Sequence, residues 1–149
     1  MKEFVMILMG LVGTLGFSLL FHVKGRKLIA IGLGGAASTA IYLWVLAASG
    51  EKAMALLLST TAIGVLAEVF ARVFKAPVIS FLVPMLVPLI PGSDLYYTTS
   101  YLIRGQSADF AQRGESLLWQ AGAIAFGIIL AACLTHIPRR GIFAAKNNK

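Results

Sequence analysis

Pro84, Pro88 and Pro91 stand in an otherwise apolar run, 76–94 (APVISFLVPMLVPLIPGSD), that ends in Gly92, Ser93 and Asp94. A proline inside a helix removes the hydrogen bond to the carbonyl four residues earlier and clashes with it. If the run is helical, the carbonyls of Ser80, Pro84 and Val87 lose their donors. Spacings of four and then three put the prolines on one helical face. In hydrocarbon each bare carbonyl costs several kcal/mol, so such a face must look onto protein, water or a ligand. Broken helices of this kind supply the backbone groups with which many secondary transporters hold substrates and ions. The alternative is a kinked helix whose carbonyls are satisfied by neighbours. Pro91-Gly92 ends or turns the segment, and Ser93 with Asp94 is placed to cap the helix that follows. Pro84, Pro88, Pro91 and Gly92 are therefore candidate path residues, with Ser80 and Tyr96 as polar contacts.

Glu68 lies inside a second apolar run, 54–74, six residues from its end, about 9 Å along a helix axis. An intramembrane carboxylate is a functional candidate, here as a proton carrier. Arg72 follows at the spacing of a helical ion pair, the structural alternative. Ser59, Thr60 and Thr61 sit mid-run, where hydroxyls generally satisfy their own backbone. His22 and His136 have no Cys, Asp or Glu at ligand spacing, so no metal site and no cofactor is expected. Gly32-Leu33-Gly34-Gly35 falls within an apolar run and cannot cradle a phosphate. No nucleophile and base stand together, so an enzyme is not expected, and neither is ATP-driven transport by this chain.

These residues need an apolar scaffold, and the composition supplies one. The 149 residues are 58% hydrophobic and 13% charged, with a mean hydropathy of +0.85. A soluble domain is nearer half apolar and a quarter charged, and a fold of this size could not cover such an excess in water. The expectation is an all-α integral membrane bundle forming a single transmembrane domain. A net charge of +7 would suggest nucleic acid in a soluble protein. Here the cations lie between apolar runs and set topology instead. Cys133 is alone, which excludes an internal disulfide.

About 20 apolar residues cross the hydrocarbon core. Four runs meet that measure, 4–21, 28–48, 54–74 and 117–137, and the proline-interrupted run 78–97 makes a fifth. The first is too long for a signal-peptide core and is followed by Lys24, Arg26 and Lys27, so it reads as a retained span. Alternation over five spans collects Lys24, Arg26, Lys27, Arg72, Lys75, Arg139, Arg140, Lys146 and Lys149 on one side. It leaves Lys2, Lys52, Arg104 and Arg113 on the other. The positive-inside rule makes the first side cytoplasmic, with the N-terminus outside and the C-terminus inside a cell membrane. Trp44, Tyr96, Tyr97, Tyr101 and Trp119 then form an outer aromatic belt. Small residues at Gly10, Gly13 and Gly16, at Gly32, Ala36 and Ala40, and at Ala123, Gly127 and Ala131 allow close helix approach. Five short spans make a thin bundle, so association with another subunit, or a homo-oligomer, is expected.

Lys75-Ala76-Pro77, then Phe81-Leu82-Val83-Pro84, Val87-Pro88-Leu89-Ile90-Pro91-Gly92 and Tyr96, resemble the hallmark of the threonine/serine exporter family. More narrowly, the chain is similar to the short, stand-alone version of that family's C-terminal membrane half. The resemblance covers most of the chain, and its most specific part is 87–92. It implies a larger membrane partner matching the N-terminal half. It also implies a small-molecule substrate: threonine and serine for fused proteins, succinate for one two-component pair.

The leading expectation is thus a membrane subunit of a secondary exporter for small carboxylate-bearing metabolites. A non-transporting scaffold for another membrane protein is the alternative, and polar or apolar lining of the proline face separates the two. A lone homo-oligomeric channel is weaker, because no charged ring or selectivity motif occurs.

Overall fold

A computed structural model describes residues 2–146 of the chain, with side chains through Thr135. His136, and Arg139, Arg140, Lys146 and Lys149, which carry part of the charge count, lie outside the residues with described side chains. The described chain is helical throughout, without strands: α1 (Lys2–Leu20), α2 (Arg26–Ser49), α3 (Lys52–Val73), α4 (Ile79–Leu86), α5 (Gly92–Ile103) and α6 (Ser107–Lys146). Helices α1, α2 and α3 and the Ser107–Thr135 part of α6 are long and apolar enough to cross a membrane. The fourth segment, α4 and α5 bent by 64° at the break, makes a fifth span if counted as one.

The helix ends explain the short connections. α1 closes with Val23 N–H donating to the Ser18 carbonyl (3.1 Å) around His22 at φ 57°. α3 closes the same way, with Ala76 N–H donating to the Ala71 carbonyl (3.0 Å) around Lys75 at φ 48°. Both are Schellman closures that use a non-glycine residue in the left-handed region. α2 ends more conventionally on Gly50 at φ 72°.

Two sequence expectations are corrected here. The prolines do not share one α-helical face. Pro84 lies in α4, Pro88 lies in a 3₁₀ turn (Val87–Leu89), and Ile90 is extended before Pro91. The tighter turn recaptures carbonyls that proline would strand: Val87 N–H donates to the Pro84 carbonyl and Ile90 N–H to the Val87 carbonyl at 3.3 Å. Ser93 and Asp94 do not cap α5, whose N-cap is Pro91 with no side-chain cap bond. The polar stretch between the fourth and fifth apolar runs is mostly helical, because α5 runs to Ile103 and α6 starts at Ser107.

Helices α1, α2, α3 and α6 pack in sequence order, α5 lies on α6, and α4 inserts against α1, α2 and α3. The core forms around that insertion from Ile31, Ile63, Ala67, Phe81 and Met85, all fully buried. Phe74 stacks on Phe81 at 5.7 Å between ring centroids. Small residues set the helix separations, as packing within lipid requires. Gly35 lies against Thr14 of α1, Gly64 against Ala131 of α6, and Gly127 against Thr60 of α3. Gly13 and Gly16 behave differently, with no neighbouring atom where a side chain would stand.

A Cβ at Gly64 would overlap the Ala131 methyl. Gly64→Val should therefore lower stability by about 1–3 kcal/mol through overpacking of the α3–α6 crossing. Gly13→Val should stay within about 0.5 kcal/mol. Thermal unfolding of both variants in one detergent checks the difference.

Candidate functional site

The proline break makes a pocket. Where the chain leaves the 3₁₀ turn and re-enters helix at Gly92, a cavity of about 220 Å³ opens. Pro88, Pro91 and Gly92 stand in its wall, and Tyr42, Lys52, Ser93, Asp94 and Gln120 are its polar lining residues. Four elements contribute: α2 brings Tyr42, the N-terminus of α3 brings Lys52, α5 brings Asp94 and α6 brings Gln120.

Asp94 is the centre of this arrangement. Only 4% of it is exposed, and a carboxylate so buried must be paired and hydrogen-bonded. Its Oδ2 accepts from Gln120 Nε2 at 2.7 Å and from Lys52 Nζ at 3.2 Å, while Oδ1 accepts from Arg113 Nη1 at 3.2 Å. Gln120 Nε2 lies within donor distance of Ser116 Oγ as well, at 3.1 Å. Arg113 stacks over the Tyr97 ring, 5.4 Å from its centroid. Lys52 and Arg113 remain about half exposed, so both cations face accessible space while the carboxylate does not. One side chain of α5 therefore ties together the start of α3, the start of α6 and the far side of the proline break.

Chemically, the pocket offers one buried anion and a solvent-accessible cation beside it, with backbone groups of the 3₁₀ turn opposite. That combination can hold an ammonium and a carboxylate belonging to one small molecule. On the other side of the turn the lining changes. Pro84 is fully buried with Phe81 and Met85, and Gly34 lies directly against Met85. The proline segment is thus polar-lined at Pro88–Asp94 and sealed by apolar side chains at Phe81–Met85.

The structure brings only some of the anticipated residues together. Pro88, Pro91 and Gly92 share the pocket, whereas Pro84 belongs to the seal. Ser80 lies at the other end of α4 and lines a separate cavity with Lys24 and Lys27. Tyr96 is 69% exposed and packs edge-on against Tyr97. Glu68 sits apart from the prolines of the break, near Pro77, with its Oε2 3.5 Å from Arg72 Nη2. Arg72 also donates to the Thr135 carbonyl at 3.1 Å, linking α3 to α6.

Sequence reasoning missed Lys52, Tyr42 and Arg113 as site residues and treated Asp94 as a cap. One signal was present. A carboxylate within an apolar, proline-broken run requires a cation from elsewhere in the bundle, and the cations nearest the same membrane boundary are Lys52 and Arg113. Among the described residues no group of His, Cys, Asp and Glu is arranged to hold a metal ion.

Asp94→Ala removes the buried acceptor that Gln120, Lys52 and Arg113 share, and with it the polar tie among α3, α5 and α6. Stability should fall by about 2–3 kcal/mol, the scale of hydrogen bonds to a buried charge. Lys52→Ala should cost under about 1 kcal/mol, because Lys52 is half exposed and Arg113 remains. Amide hydrogen exchange across 92–106 checks both, with protection lost in the first variant and retained in the second.

Comparison with known proteins agrees with this architecture. No curated protein and no solved structure matches the chain. The family described as "Threonine/Serine exporter, ThrE" matches residues 6–134, a stretch that contains α2 to α5, most of α1 and α6, and the whole proline break. A helical, multi-pass membrane bundle with that match over most of its length belongs to the threonine/serine exporter family.

Proposed function

We propose that this chain is the short subunit of a two-component secondary exporter. In this reading the pocket at Pro88–Asp94 receives a small zwitterionic amino acid of the threonine or serine class. The observation that carries the reading is the pairing of buried Asp94 with half-exposed Lys52 on the wall of one cavity. In this reading the α-carboxylate draws the half-exposed Lys52 ammonium away from Asp94, and the α-ammonium takes the place that Lys52 leaves on that buried carboxylate. The cavity volume of about 220 Å³ equals about seven waters' share of liquid, suited to a metabolite no larger than an amino acid. Membership in the exporter family supports the same class of cargo. The second cation, Arg113, gives a dicarboxylate such as succinate some complementarity as well, but Asp94 opposes it.

In this proposal the membrane is the cell membrane, with the N-terminus outside, so the pocket faces outward and the Phe81–Met85 seal lies on its cytoplasmic side. Moving the cargo requires the break to rearrange. The bend between α4 and α5 is where the backbone already departs from regular helix, which suits it to be the moving part. A larger membrane subunit matching the family's N-terminal half completes the path, as expected for a bundle this thin. With no nucleotide-binding motif in the sequence, an ion gradient or the cargo's own gradient drives the movement. Glu68 takes the role of ion-pair partner to Arg72, outside the path.

Efflux from cells lacking this protein, loaded with threonine, serine or succinate, tests the proposal. Re-expression together with the larger subunit should restore threonine or serine export, and either protein alone should not. Lys52→Met should reduce that export about tenfold, the worth of one charge-assisted hydrogen bond. Pro88→Ala should reduce it with the complex still assembled. Unimpaired export in both variants would sink the pocket, and loss of assembly in Pro88→Ala would favour a scaffold role. Restoration of succinate efflux alone would reassign the cargo to a dicarboxylate.

Glu68→Gln should keep export within about twofold of wild type at equal expression, since a partly exposed ion pair is worth under about 1 kcal/mol. A strongly reduced flux that no longer depends on pH in that variant would instead make Glu68 a proton carrier.

A further inference from the structure

The end of the bundle opposite Asp94 has a second cavity, of about 300 Å³, where the α1–α2 turn meets the start of α4. His22, Lys24, Lys27 and Ser80 supply its polar lining, and Phe21 and Phe81 stand among its apolar walls. The Schellman closure of α1 carries His22 to this rim. Charge at this end is one-sided. Lys24, Arg26, Lys27, Arg72 and Lys75 gather there, and Glu68 is the acid that accompanies them, paired with Arg72. No carboxylate of a described residue pairs with Lys24, Arg26, Lys27 or Lys75.

From this we infer that the cavity is a binding site for the phosphodiester headgroup of an anionic phospholipid. Two unpaired lysines and a histidine converge on a concave surface with a hydroxyl at its side, which suits an anion with several acceptor oxygens. A zwitterionic amino acid does not suit it, because no carboxylate is present to receive the ammonium. The same argument excludes the amine-bearing headgroup of phosphatidylethanolamine. Phe21 is 56% exposed and neighbouring Leu20 is 73% exposed, so an apolar surface continues from the rim of the cavity down the outside of α1, where an acyl chain would lie. A phosphate at the rim and chains along α1 is the geometry of a lipid in the leaflet bordering this end. Basic pockets between transmembrane helices recognise anionic headgroups through this combination of charge and depth. Because Phe81 belongs both to this cavity and to the core seal, a bound lipid would brace α4 from the side away from Asp94.

The test uses the full-length protein in neutral detergent, with its thermal midpoint followed during titration by phosphatidylglycerol, phosphatidylethanolamine or phosphatidylcholine. Phosphatidylglycerol should raise the midpoint saturably, and the other two should not at equal concentration. The double variant Lys24→Gln, Lys27→Gln should weaken the half-saturating concentration roughly thirtyfold. Ser80→Leu, which fills the cavity and leaves every charge in place, should weaken it at least tenfold and guards against a general charge effect. Equal response to all three lipids overturns the proposal, as does wild-type titration by either variant. Inorganic phosphate or succinate, added as competitor, should fail to displace phosphatidylglycerol at millimolar concentration. Displacement would make this a site for free small anions instead.

Discussion

Everything in this bundle is arranged around one constraint: backbone that departs from regular helix within an apolar slab must be surrounded by protein. Three prolines make the fourth segment such a backbone, and the other helices close round it. α4 touches α1, α2 and α3 together, and the largest buried side chains, Phe81, Ile31, Ile63 and Met85, are the ones packed where it inserts. Shifting to a 3₁₀ turn at Val87–Leu89 satisfies the carbonyls of Pro84 and Val87 locally. What remains of the irregular backbone, Pro88 to Gly92, lines the polar pocket.

The break has an electrostatic counterpart. Beyond it, α5 leaves at 64° to α4 and, packed on α6 with much of its other surface exposed, is held to the bundle by a polar anchor as well. Asp94 is that anchor. Its burial is tolerable because Gln120, Lys52 and Arg113 surround it with donors, and the cost of desolvating the two cations is small while both stay half exposed. Under the proposed function the anchor is also the binding group, so a cargo that competes for Lys52 would loosen the hold on α5 and couple occupancy of the pocket to movement at the bend.

Charge divides the two ends of α4. Toward the Asp94 end, both signs of charge occur within reach of one cavity. At the Lys24 end, cations outnumber the single carboxylate Glu68, which is already engaged. The first arrangement matches a ligand carrying both signs, and the second a ligand carrying only negative charge. Between them lies an apolar seal, so two pockets on one broken segment present different chemistry to the two faces of the bundle.

Membrane class, helix content, the number of apolar segments and the break at Pro84–Pro91 were legible in the sequence because each follows from composition and local rules. Hydropathy over about 20 residues reads out a span, and proline's missing donor acts on its own turn. The fate of each proline was not legible. A period of 3.6 put Pro84, Pro88 and Pro91 on one face only if the helix continued, and whether it continues or tightens to 3₁₀ depends on what packs against it. The burial of Asp94 and Thr98 was not legible for a related reason: both are polar, and only the packing of α5 on α6 covers them. Gly127 and Ala131 were identifiable as close-approach residues, whereas Gly13 and Gly16, of the same type and similar spacing, face open space. The site itself needed tertiary structure. Lys52, Asp94, Arg113 and Gln120 are far apart in the chain, and the interaction joining them acts over a few ångströms in space, a distance that only the folded bundle sets.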